Sequence, residues 1–211
     1  MSKTLPRIFS NPFLLILFTA LIKIPLFFTK HIQEDSFITW RVAKNVLNYG
    51  VVGFNGEERL SASTTHLYVL VSAFFQLNFG DYFIYPLLIF NSILFAIGSL
   101  WIGKVLFRKD IINRGLFVIL LSIVPPSLTA SCLGMEYGIL FFLYSGLIYF
   151  GIRKGKNWAY IIFPVLLLWT RIDTVIFLGV FFVADVLIKK KLNLFFILGG
   201  IIGVVSVVSF N

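Results

Sequence analysis

Few side chains in this sequence can do chemistry, because only 13% of its residues are charged. They are gathered in a few places. EDSFITWRVAKN, Glu34 to Asn45, carries two adjacent carboxylates, Glu34 and Asp35, followed by Arg41, Lys44 and Asn45. One such carboxylate can take a proton from an acceptor hydroxyl while nearby cations hold an anionic donor, the division of labour that group transfer from such a donor requires. Adjacent carboxylates also permit a raised pKa or a divalent cation shared by Glu34 and Asp35. A structural role competes with these, since carboxylates opening a helix satisfy free N–H groups and favour the helix dipole.

Further charges stand at Glu136, in LGME, and at Arg171 and Asp173, in RID. Each has a bland reading, a first-turn helix charge for Glu136 and a local ion pair for Arg171 with Asp173. Ionisable groups at membrane depth are nevertheless functional candidates by default. His31 and His66 have no second histidine at i+4 and no neighbouring cysteine, which disfavours zinc. Cys132 is the single cysteine, so neither an internal disulfide nor a CxxC site can form. No P-loop, GxGxxG turn, GxSxG elbow or HExxH helix is present, so nucleotide hydrolysis and the familiar hydrolase chemistries have no support.

The elements that must position these residues follow from composition. The chain of 211 residues is 59% hydrophobic and 18% aromatic, which predicts an all-α polytopic membrane protein. Its net charge of +9 sits in short basic runs between apolar segments, a topological pattern that speaks against a nucleic-acid partner. The first apolar segment, Ile8 to Phe28, lacks a small-x-small cleavage site and reads as a retained signal anchor. Later apolar segments run over 82–107, 115–132, 137–152, 158–170, 175–188 and 194–210.

His66 to Phe79 is short for a span, and the charges say how to treat it. If it lies in the interface, all four basic clusters fall on the side of Lys3 and Arg7, placing 11 of the 18 basic residues in the cytoplasm. The expectation is therefore seven spanning helices, a cytoplasmic N-terminus and one membrane domain over 1–211 whose first outer loop covers about 29–81. Within that loop, Ser36 to Tyr49 predicts a surface-lying amphipathic helix with Ile38, Val42, Val46 and Tyr49 on one side. Seven of the nine acidic residues then fall on the outer side. PSLTASC and GGIIG predict a proline-broken helix and close helix packing.

At the level of motifs, the stretch EDSFITWRVAKNVLNYGVVGFNGEERLSASTTHLY resembles the first outer loop of GT-C glycosyltransferases, especially bacterial proteins similar to arabinofuranosyltransferases. LGME looks like that family's SGLET turn and RID like its RPE or RPD turn, in the same order. The resemblance implies a plasma (inner) membrane enzyme, active outside the cytoplasm, that takes sugar from a polyprenyl-phosphate donor to a glycan, lipid or protein acceptor. By position, Asp35 and Glu34 become the catalytic pair, with Asp35 the base. Arg41, Asn45 and Arg59 become substrate-binding residues, and Glu136, Arg171 and Asp173 line the donor cavity.

Four positions depart from the pattern. Glu34 replaces an Asp, Ser61 an acid, and His66 and Ile172 prolines. Family members usually continue through more helices, so the chain reads as an N-terminal module lacking a C-terminal part, which a partner subunit could complete. The competing readings are a non-catalytic subunit for polyprenyl-lipid binding or assembly, and a transporter. No internal repeat supports the last.

Overall fold

The computed structural model describes residues 9, 11–29, 31–55 and 65–210. Among them the chain is all α, with no strand and ten helices of eight residues or more. In chain order these are α1 (Pro12–Leu21), α2 (Glu34–Tyr49), α3 (His66–Phe79), α4 (Ile84–Leu106), α5 (Ile111–Ile123), α6 (Pro125–Cys132), α7 (Tyr137–Gly146), α8 (Ala159–Thr170), α9 (Thr174–Lys189) and α10 (Leu194–Phe210). A single turn, Ile24–Phe27, follows α1, and a π-helical stretch, Leu147–Arg153, continues α7.

Contacts between side chains orient the helices. Asn91 near the start of α4 meets Met135 just before α7, Phe95 stacks on Phe141 with centroids 4.5 Å apart, and Trp101 packs on Phe142 and Phe150. These ascending pairs make α4 and α7 parallel. The start of α7 lies beside the end of α8 through Glu136 and Arg171, so α8 runs the other way. The aromatic contact of Trp169 with Phe210 then sets the end of α10 beside the end of α8. Near the start of α10, Gly199 packs so closely on α8 that a Cβ there would lie 2.5 Å from the Tyr160 carbonyl oxygen.

The bundle consequently has two chemically different ends. One holds the start of α2, residues 133–137 and residues 171–174. The other holds Arg153 to Trp158 and Lys189 to Asn193, tied together by the bond from Lys189 to the Tyr160 hydroxyl. Both termini of α3 belong to the first end. His66 sits on Trp169 and Phe210, and Gln76 donates to the Trp40 carbonyl, whose ring meets Phe83 at the start of α4.

The expectation of seven spanning helices is not what the structure gives. Among the described residues only Ile84–Leu106 is long and apolar enough to cross a membrane, and α5 with α6 makes a second candidate if their 65° bend is one broken span. The remaining apolar helices have 10–17 residues and rise only about 15–26 Å, short of a hydrocarbon core of about 30 Å. Local chemistry explains the shortening. Val124 is extended because it precedes Pro125, which ends α5, and α1 stops just ahead of Pro25.

The core is apolar, yet several polar side chains are buried in it while many large apolar ones face outward. Lys23, Ser92, Ser99 and Glu136 are fully buried, whereas Leu77, Val180 and Ile188 are 71%, 67% and 79% exposed. The helix expected over Ser36 to Tyr49 is present as α2, with Val42 buried, Val46 partly so, Ile38 and Tyr49 exposed, and Trp40, Ala43 and Asn45 buried as well. Its Val42 and Ala43 pack against Val69 and Ala73 of α3.

Candidate functional site

Helix α2 starts two residues earlier than its periodicity suggests, so Glu34 and Asp35 lie inside its first turn and Gln33 takes the capping position. Gly50, at φ 66°, ends the helix in the left-handed conformation that suits glycine. The start of α2 is fastened to the 133–136 turn, where the Leu133 carbonyl accepts from the Gln33 amide at 3.0 Å and from the Ser36 hydroxyl at 2.9 Å.

That turn is held by three helices. Gly134 has φ 81°, and a Cβ there would lie 2.8 Å from the Trp40 ring and 3.1 Å from Ser36 Oγ. Only glycine fits both the backbone angle and the space. From α3, the Tyr68 hydroxyl donates to the Gly134 carbonyl at 2.7 Å. From α4, Asn91 Nδ2 donates to the Tyr68 hydroxyl at 2.9 Å and to the Met135 carbonyl at 3.2 Å.

The turn delivers Glu136 to Arg171. Glu136 is fully buried, its Oε1 3.0 Å from Arg171 Nη1, while Oε2 has no partner among the described residues. Arg171 also donates through Nε and Nη2 to the two oxygens of Asp173, at 3.0 and 2.8 Å. The Thr174 hydroxyl donates to the Arg171 carbonyl at 2.6 Å, which fixes the junction between α8 and α9. Burial pushes the Glu136 carboxyl above the usual carboxylate range, with Arg171 opposing the shift, and Asp173 raises Arg171 further. Two carboxylates against one guanidinium leave a net charge of −1, or zero once Glu136 takes a proton.

Three of the five guanidinium N–H groups are committed among the described residues, which leaves two for a ligand. Beside them is a cavity of about 330 Å³ lined by Tyr137, Leu140, Tyr144, Arg171, Asp173 and Thr174. Val175 and Leu178, immediately along α9, line an apolar groove of about 300 Å³ between α9 and α10. A polar cavity and an apolar groove thus flank the same first turn of α9.

Other expected site residues are placed elsewhere. Asn45 Nδ2 donates to the Gly53 and Phe54 carbonyls, both at 2.8 Å. Arg41 Nε donates to the Phe54 carbonyl at 3.2 Å, and its guanidinium lies 4.4 Å from the Phe54 ring centroid. These two residues anchor the chain after α2, six and ten residues beyond Asp35, or about 9–15 Å along the helix. Arg59 lies outside the described residues. No third His, Cys, Asp or Glu joins Glu34 and Asp35 among the described residues, so a divalent ion there would need ligands from substrate or water.

Sequence reasoning missed Tyr68, Asn91 and Gly134. Asn91 did carry a signal, as an amide within a long apolar helix. His66 is buried against Trp169 and Phe210 with both ring nitrogens unpartnered among the described residues, and burial lowers its pKa.

No protein-family model, curated protein or solved structure matches this chain. The likeness to GT-C enzymes therefore rests on the three sequence motifs.

Proposed function

We propose that the chain is a membrane glycosyltransferase, or the N-terminal module of one, that takes sugar from a polyprenyl-phosphate donor on the extracytoplasmic side of the plasma (inner) membrane. One observation carries this reading. The cluster of Glu136, Arg171 and Asp173 opens onto a cavity and is tied by the 133–136 turn to the acidic start of α2. A donor of this class has an anionic head and a long apolar tail, which the polar cavity and the apolar groove on either side of the first turn of α9 would take separately. Two free N–H groups on Arg171 would meet the phosphate. Protonation of Glu136 would remove the excess negative charge that otherwise repels it.

In this reading Asp35 accepts the proton of the acceptor hydroxyl as the new glycosidic bond forms, and the polyprenyl phosphate leaves with the electrons of the old one. The apolar outer surface supports a membrane location, with the short helices completed by interfacial residues at their ends.

The test is transfer of labelled sugar from a polyprenyl-phosphate donor to acceptors in native membrane vesicles. Asp35→Asn is expected to abolish transfer while the protein remains in the membrane. Undiminished transfer by that variant would remove the catalytic assignment. Donor binding without transfer by the unaltered chain would instead favour the non-catalytic lipid-binding subunit.

A further inference from the structure

The opposite end of the bundle has a cavity that transferase chemistry leaves unused. It measures about 300 Å³ and is lined by Asn157, Lys189, Lys191, Leu192, Asn193 and Leu194, with Phe195. Two basic turns meet here, 153–157 between α7 and α8 and 189–193 between α9 and α10. Lys189 is internally satisfied, 2.7 Å from Asp185 Oδ1 and donating to the Tyr160 hydroxyl at 2.6 Å. Lys190 takes the left-handed conformation, φ 52°, as the chain turns between the two helices.

Charge and apolarity coincide at this place. Lys189 and Lys191 line the cavity and Lys190 stands between them in the chain, three positive charges against which Asp185 supplies one negative charge, leaving +2. Leu187, Ile188, Leu192 and Leu194 are 65–79% exposed beside them. A free inorganic anion would use the lysines but has no use for those side chains. A phospholipid uses both, because its phosphate meets ammonium groups at the depth where its acyl chains meet exposed leucines.

We propose that this cavity is a binding site for the phosphate headgroup of an anionic phospholipid, with Lys191 as principal contact and Lys190 supporting it. The proposal rests on the membrane location of the proposed function and not on the transferase reaction.

The experiment is native mass spectrometry of the full chain released from nanodiscs holding equal amounts of phosphatidylglycerol and phosphatidylcholine. One phosphatidylglycerol should be retained per chain in preference to phosphatidylcholine. Lys190→Gln with Lys191→Gln, two exposed changes, should weaken retention about fivefold per lysine and roughly thirtyfold together. Arg108→Gln with Lys109→Gln, an equal charge loss in another turn, should leave it unchanged. Equal retention of the two lipids, or equal losses from the two pairs of substitutions, would overturn the site. Displacement of the lipid by millimolar inorganic phosphate would also overturn it, in favour of a free-anion site. Failure of the chain to enter nanodiscs at all would instead sink the membrane reading on which both proposals stand.

Discussion

Each end of the bundle holds a buried carboxylate with one oxygen unpartnered among the described residues, and the two differ in what surrounds it. Glu136 shares a single guanidinium with a second carboxylate, Asp173. Asp185 has Lys189 and the Tyr160 hydroxyl to itself, within a field of further lysines. The first cluster is short of positive charge and gains by binding a proton. The second is locally neutral within a positive surface and gains by attracting an anion. The same device, a buried carboxylate beside a partly exposed cation, thus serves opposite purposes according to its neighbours.

Removing the cation from each cluster should break the comparison most visibly. Arg171→Ala leaves Glu136 buried without its ion pair and should cost about 3 kcal/mol, read as thermal unfolding in detergent. A cost below that of Lys189→Ala would reverse the ranking of the two ends. Gly134→Ala should cost about 2 kcal/mol, because its Cβ would meet Trp40 at a left-handed backbone position. It should also lower sugar transfer by displacing the start of α2. Lys189→Ala should cost only about 1 kcal/mol, since Lys189 is partly exposed and Asp185 keeps the Tyr160 hydroxyl.

The smallest effect concerns protons. Glu136 has its pKa raised by burial in the folded chain, so the native state binds more protons than the unfolded state above the ordinary carboxylate range. Stability should therefore fall as pH rises from that range through the raised value. Glu136→Gln should flatten this part of the profile, measured as melting temperature against pH. An unchanged slope would place the proton elsewhere.

Helix type and charge placement were legible because they follow from local apolar runs and from the separation of basic and acidic residues. The acidic start of α2 and the Arg171–Asp173 pair were likewise readable from neighbours in sequence. The bond between Glu136 and Arg171 spans 35 residues; topology put their two turns on the same side of the bundle, but the bond itself was not legible. The break at Pro125 was legible from the prolines around PSLTASC, whereas helix length was overestimated where a stop ahead of Pro25 interrupts the first apolar run. Arg41 and Asn45 bind carbonyls of the following loop, a contact that periodicity does not encode. Gly134 was illegible because its reason is the Trp40 ring, which reaches it across 94 positions of chain.

The central claim is that the two ends face opposite sides of a membrane. Site-directed thiol labelling tests it directly, using a Cys132→Ser background with a single cysteine placed at Asp173 or at Lys191. In intact cells a membrane-impermeant maleimide should label the position 173 variant at once and the position 191 variant only after permeabilisation. Labelling of both from the same side, at equal rates, would contradict the account.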